Sequence, residues 1–150
     1  MIETVRISRA GKDQLITLKR RTALRHWNEL GRWALCRSLT ERSSPPNVPI
    51  PTEAGVEIDW RTFAGRLADV YLDLLQQRCV IDGLEPDAPT VQRQLALHLH
   101  RGIGYLAGDP ALGRATEGSG ARRGAGVREL IRLGLSATPV DELDKARAVD

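Results

Sequence analysis

Apolar and polar positions alternate at the start of the chain and then change period. In Glu3–Ser8, Glu3, Val5 and Ile7 share one face and Thr4, Arg6 and Ser8 the other. This is the two-residue period of a strand with Val5 and Ile7 turned inward. Ile2 falls on the polar face. Ser8 suits the N-cap of a helix from about Arg9 to Arg21. Its apolar set, Ala10, Leu15, Ile16 and Leu18, is thin, so this helix packs on one side and offers the rest to solvent. Thr22–Ala23–Leu24 breaks the pattern, and a second helix follows from about Arg25 to Leu39. There Leu24, Trp27, Leu30, Gly31, Ala34 and Leu35 recur at three- and four-residue spacing, widened by Trp33 and Leu39. One thin partner helix does not cover that much apolar surface. A second copy of the chain is the economical way to bury it, with Gly31 admitting another backbone.

Ser43–Gly55 holds four of the eight prolines, which rules out helix or interior strand and predicts an extended connector over the surface. Asp59 then caps a predicted helix from Trp60 to about Val80, striped by Phe63, Leu67, Val70, Tyr71, Leu74 and Leu75 and stopped at Asp82–Gly83. A third long helix starts at Thr90, with Val91, Leu95, Leu99, Ile103 and Leu106 on one side. From Gly113 to Gly126 the composition turns to Gly, Ala and Arg, Val127–Leu135 has the spacing of a short helix, and the end reads as weakly ordered. The expected fold is mainly α: a strand–helix–helix start, two further long helices, and a flexible C-terminal tail. The boundaries are one helical domain over residues 1–112, with a proline-rich connector at 43–55, and a Gly/Arg-rich tail over 113–150.

Charge sharpens this picture. The net charge of +3 conceals an asymmetry, because residues 1–42 carry ten Lys/Arg against four Asp/Glu. Residues 43–87 carry three against eight, so a basic front is followed by an acidic middle. That separation fits one face for phosphate and another for a partner; the alternative is an ordinary solvated surface. The last-turn cations Lys19, Arg20 and Arg21 also suit the dipole of their own helix, which leaves Arg6, Arg9 and Lys12 without that explanation. Cys36 and Cys79 lie inside predicted helices and read as small buried apolar residues in a reducing cytoplasm. No leader peptide or apolar run of membrane-spanning length occurs, so a cytoplasmic chain is expected.

The sequence contains no phosphate-binding loop, dinucleotide fingerprint, Cys-x-x-Cys pair or metalloprotease motif, so neither cofactor nor metal is expected and a binding module is the direct reading. Asp69 and Asp73 stand one turn apart, but with no further ligand in register they read as a solvated face. His98 and His100 point in well-separated directions on a helix and do not share a metal. His98 sits at the margin of the apolar stripe, whereas His100 and Arg101 lie further round, where phosphate contact is feasible. The candidate DNA-binding set is therefore Arg6, Arg9, Lys12, Lys19, Arg20, Arg21, Arg25, His100 and Arg101.

The strand–helix–helix opening resembles the ribbon-helix-helix fold of the Met and Arc repressors, which implies strands paired between two chains and Thr4 and Arg6 facing a groove. Ala23 stands where that fold often uses glycine. A longer run, IETVRISRAGKDQLITLKRRT, HWN at 26–28, RWALCRSL at 32–39, the PPNVPIP connector and LHLHRGIGYLAGDP, resembles DndE. That family is the small subunit of bacterial DNA phosphorothioation (DNA sulfur modification) systems. The resemblance implies a homo-oligomer, a tetramer or dimer, that binds duplex DNA with a preference for nicks. It would act beside sulfur-transfer and ATPase subunits. The alternatives are a sequence-specific repressor, a DNA-nicking enzyme built from His100, Arg101, Asp69 and Asp73, and an assembly scaffold.

Overall fold

The computed structural model describes residues 2–22 and 24–110. The turn residue Ala23 and the tail expected over 113–150, with its Val127–Leu135 helix, lie outside the described residues. Strand β1 (Thr4–Ile7) leads into helix α1 (Arg9–Thr22) and helix α2 (Trp27–Leu39). After the connector come strand β2 (Val56–Asp59), helix α3 (Trp60–Ala64), a 3-10 turn (Gly65–Leu67), helix α4 (Ala68–Ile81) and helix α5 (Ala88–Ala107). The described chain is mainly helical, as the apolar spacing predicts.

Val5 and Ile7 are buried and Arg6 is exposed, so the alternation at the N-terminus holds. Ile2 departs from it and is buried beside Leu72, Ala88 and Val91, because it precedes the strand and is not bound by its register. β1 pairs antiparallel with β2 of the same chain, with Val5 opposite Ile58, Arg6 opposite Glu57 and Ile7 opposite Val56. The Trp60 amide donates to Glu3 O at 2.8 Å, so odd-numbered positions bond toward β2 and even-numbered ones face the other edge. α5 lies along that edge. Gln92 Nε2 donates to Thr4 O at 3.0 Å, and the Ser8 amide donates to His100 Nε2 at 3.0 Å. A strand engaged on both sides by its own chain is not the inter-chain ribbon, and the ribbon-helix-helix resemblance is not carried by the structure. β2, only four residues long, went unrecognised in the sequence.

α2 is the centre of the core. Leu30, Trp33, Ala34 and Leu35 are buried on it, with α5 on one side and α3 on another. A Cβ at Gly102 would lie 1.7 Å from Ala34 O, so glycine sets the closest approach of α5 to α2. At Gly31 a Cβ would lie 2.4 Å from the Phe63 ring, so this glycine admits an aromatic ring of the same chain and not a second backbone. The apolar surplus of α2 is thus covered within one chain, and the inference of a second copy drawn from it falls away.

The helix expected over Trp60–Val80 is broken. Asp59 caps α3 as expected, accepting from the amides of Arg61 at 3.0 Å and Thr62 at 3.2 Å. Gly65, at φ 65° and ψ −148°, then ends it, in a region that only glycine occupies without strain. The restart shifts the inward side of α4 to Tyr71, Leu75, Arg78 and Cys79, leaving Val70 and Leu74 outside. α5 begins slightly earlier than expected, since the Asp87 carboxylate accepts from the Thr90 amide at 2.9 Å and Pro89 fits the first turn.

The connector is tied across α5. Arg101 Nη1 donates to Ser43 O at 2.8 Å, and Arg93 Nη2 donates to Asn47 Oδ1 at 2.9 Å and Val48 O at 2.6 Å. Leu97 lies midway between the two arginines and is buried.

Candidate nucleic-acid interface

α1 turns Gly11, Leu15, Leu18 and Thr22 inward. Ser8 caps it: Ser8 Oγ accepts from the Gly11 amide at 3.1 Å, as the sequence predicts. The opposite face carries Arg9 and Arg20, both exposed. Eleven residues apart, they project in nearly the same direction about 16 Å from one another. Lys12 and Lys19 flank that line on one side, half-buried, and Asp13 is the acid among them. Lys19 Nζ stands 5.2 Å from the Trp27 ring centroid, which holds the ammonium near the end of the helix without neutralising it. Arg25 is exposed just before α2.

Two further candidates are tethered. Arg21 Nη1 donates to Ala107 O at 3.3 Å, binding the end of α1 to the end of α5. Arg6 Nε meets Glu57 Oε2 at 3.2 Å across the sheet. Both side chains are 58% exposed, so this pair is weak and open to exchange for a phosphate. Arg6 also borders, with Gln92, Arg93 and Ala96, a hollow of about 520 Å³ beside β1.

His100 and Arg101 have internal duties. His100 Nδ1 is 2.7 Å from Ala96 O, a contact that needs a proton on Nδ1, so Nε2 is the acceptor for Ser8 N–H. Burial holds its pKa below the ordinary histidine value, which keeps the ring neutral. Arg101 donates through Nε to Ser38 Oγ at 2.8 Å, through Nη2 to Ser38 O at 2.8 Å and through Nη1 to Ser43 O. Its guanidinium also stands 5.8 Å from the Tyr105 ring centroid, and that of Arg37 4.8 Å.

Sequence reasoning missed the role of Arg78. It is buried against Asp82 at 3.0 Å and donates to Leu39 O, Arg42 O and Ser43 O. Together Arg78 and Arg101 satisfy the carbonyls that the end of α2 leaves open. The i,i+4 spacing of Arg78 and Asp82 was the available signal, but it reads as an ordinary surface pair. His98, expected at the core edge, is 0% exposed, shares a 2.9 Å hydrogen bond between Nδ1 and Ser38 Oγ, and has no partner at Nε2. Burial first, then the charges of Arg78 and Arg101, lower its pKa to about 4.

The suspects for a nicking centre do not meet. His100 faces β1 and α1, whereas Asp69 and Asp73 are exposed on α4. Among the described residues no group of three His, Cys, Asp or Glu is placed to hold a metal ion, and no helix is long and apolar enough to cross a membrane.

Compared with known proteins, residues 4–113 match a family described as DNA sulphur modification protein DndE. That match includes β1, the whole basic face of α1, and both arginine anchors of α2. No curated protein matches the chain.

Proposed function

This chain belongs to the DndE family of DNA sulphur modification proteins, and from that premise we propose that it is the DNA-gripping subunit of such a system. The observation that carries the reading is the outer face of α1, where Arg9, Lys12, Lys19 and Arg20 form a cationic line broken by one acid, Asp13. A line about 16 Å long matches several phosphates of one strand of duplex DNA. Arg25 extends it at one end, and Arg6 joins it when phosphate replaces Glu57. Arg21 contributes field from its tether on Ala107. His100 serves the same surface indirectly, by holding Ser8 and thus the start of α1, whereas Arg101 is engaged with Ser38 and Ser43. Backbone contact of this kind is independent of base sequence.

The family resemblance supports the finer points. It favours nicked duplex as ligand, a homo-oligomer (a tetramer or dimer) that multiplies the cationic line, and sulfur-transfer and ATPase subunits as neighbours in the cytoplasm. The function is then to hold the backbone while those partners replace a non-bridging oxygen with sulfur. Native mass measurement of the full chain, alone and with intact or nicked duplex, tests this. The expected result is a discrete oligomer binding both, nicked more tightly. A chain that leaves both duplexes unbound at low salt overturns the proposal.

A further inference from the structure

Strand β1 has two edges, and β2 closes one of them along its whole length. On the other edge the chain makes two ties, Gln92 Nε2 to Thr4 O and the Ser8 amide to His100 Nε2. Arg6 lies between them. It stands opposite Glu57 in a pair that exchanges no ladder bonds, because bonding positions alternate from the Trp60 amide on Glu3 O. The Arg6 amide and carbonyl therefore point away from β2, and among the described residues neither has a hydrogen-bond partner. They border the hollow of about 520 Å³ beside β1, within the size range of ligand clefts. Its facing wall is α5, through Gln92 and Arg93, and its third wall is the connector, through Ile50 and Thr52.

We propose that this groove takes an extended peptide segment of a partner protein, which pairs one backbone residue with Arg6 and sets an acidic side chain against Arg93. An open N–H and C=O on a single strand residue are matched together by the backbone of another strand. A nucleic-acid phosphate offers acceptors alone, so it leaves the Arg6 carbonyl unmet and faces the Glu3 carboxylate that also borders the hollow. The charges select further. Arg6 already has Glu57, whereas Arg93 holds the connector through Asn47 Oδ1 and Val48 O and has no carboxylate partner among the described residues. An acid at Arg93 and a base at Glu3 answer both charges of the groove. The inference does not rest on the DNA-gripping face of α1, because it uses the Arg6 backbone and the edge of β1 turned away from Glu57.

A displayed library of random seven-residue peptides, selected on the full chain without DNA, supplies the probe. The selected peptides are then titrated as synthetic segments, and they are expected to share an Asp or Glu at one position. Arg6→Pro deletes the N–H on the open edge and leaves the bonds to β2 in place, so it should weaken binding about ten-fold. Arg6→Ala keeps both backbone groups and should bind as the wild type does. N-methylation of the peptide residue that pairs with Arg6 should match the loss of Arg6→Pro, and it leaves the protein unaltered. Arg93→Glu should also weaken binding about ten-fold, and a peptide with Lys in place of its acid should recover it. No enriched peptide overturns the proposal, as does binding indifferent to both Arg6→Pro and N-methylation, or displacement of the peptide by duplex DNA. Failure of the Lys peptide to recover binding overturns the pairing with Arg93.

Discussion

His98 and His100 are two positions apart and do opposite kinds of work. His100 bridges Ser8 N–H and Ala96 O, so His100→Ala leaves a part-buried amide without its acceptor. The expected loss is about 1–3 kcal/mol, read as a lower urea midpoint. His98 is buried neutral, with a folded pKa of about 4 against an ordinary 6.5. Its unfolded form binds a proton that the folded form refuses, so its share of stability is complete above pH 6.5 and is lost as pH falls toward 4. The sign follows from the unfolded state carrying more protons in that window. The span amounts to roughly 3 kcal/mol. Urea midpoints of the wild type and His98→Gln, compared between pH 7 and pH 4.5, isolate it: the wild type should lose more stability on acidification than the variant. Neither role was legible in the sequence. A histidine two residues from another on an apolar helix gives no sign of which one meets a distant amide, and the partners here, Ser8 and Ser38, lie 92 and 60 residues away.

At the scale of elements, legibility tracked length and capping. α1 stood out by its Ser8 cap, and α2 and α5 by their long apolar stripes, as did the cap at Asp59. β2 did not, because four residues of alternation fit equally well into a connector. The break at Gly65 was also hidden: its stripe runs on in register on paper, and only the backbone at φ 65° divides α3 from α4. Gly65→Ala should cost about 1–3 kcal/mol, measurable as a fall in melting temperature. Within α5 two glycines make a sharper pair. Gly104 has open space where a Cβ would go, whereas a Cβ at Gly102 would collide with Ala34 O. Gly104→Ala is expected to add about 0.5–1 kcal/mol from helix propensity. Gly102→Ala should destabilise by about 1–3 kcal/mol or more, since α5 must move off α2. Equal effects from the two substitutions would contradict the packing described.

The whole molecule joins a cationic helix face to a core that holds it rigid. β1 is locked between β2 and α5, His100 fixes the cap of α1, and Arg21 ties the end of α1 to α5. The basic composition of residues 1–42 was evident from sequence, and so was the family. What sequence did not disclose is that Arg101 serves α2 and the connector, and that Arg6 faces Glu57. Side-chain partners set by tertiary folding leave no periodic trace. The central claim is that the outer face of α1 neutralises DNA phosphates. Its most direct test is the salt dependence of duplex binding by the wild type and by a triple variant with Arg9→Ala, Lys12→Ala and Arg20→Ala. Each lost phosphate contact should lower the slope of log K against log salt by about 0.9. The account predicts a triple variant that binds more weakly with a slope smaller by roughly 2–3; an unchanged slope and affinity would contradict it.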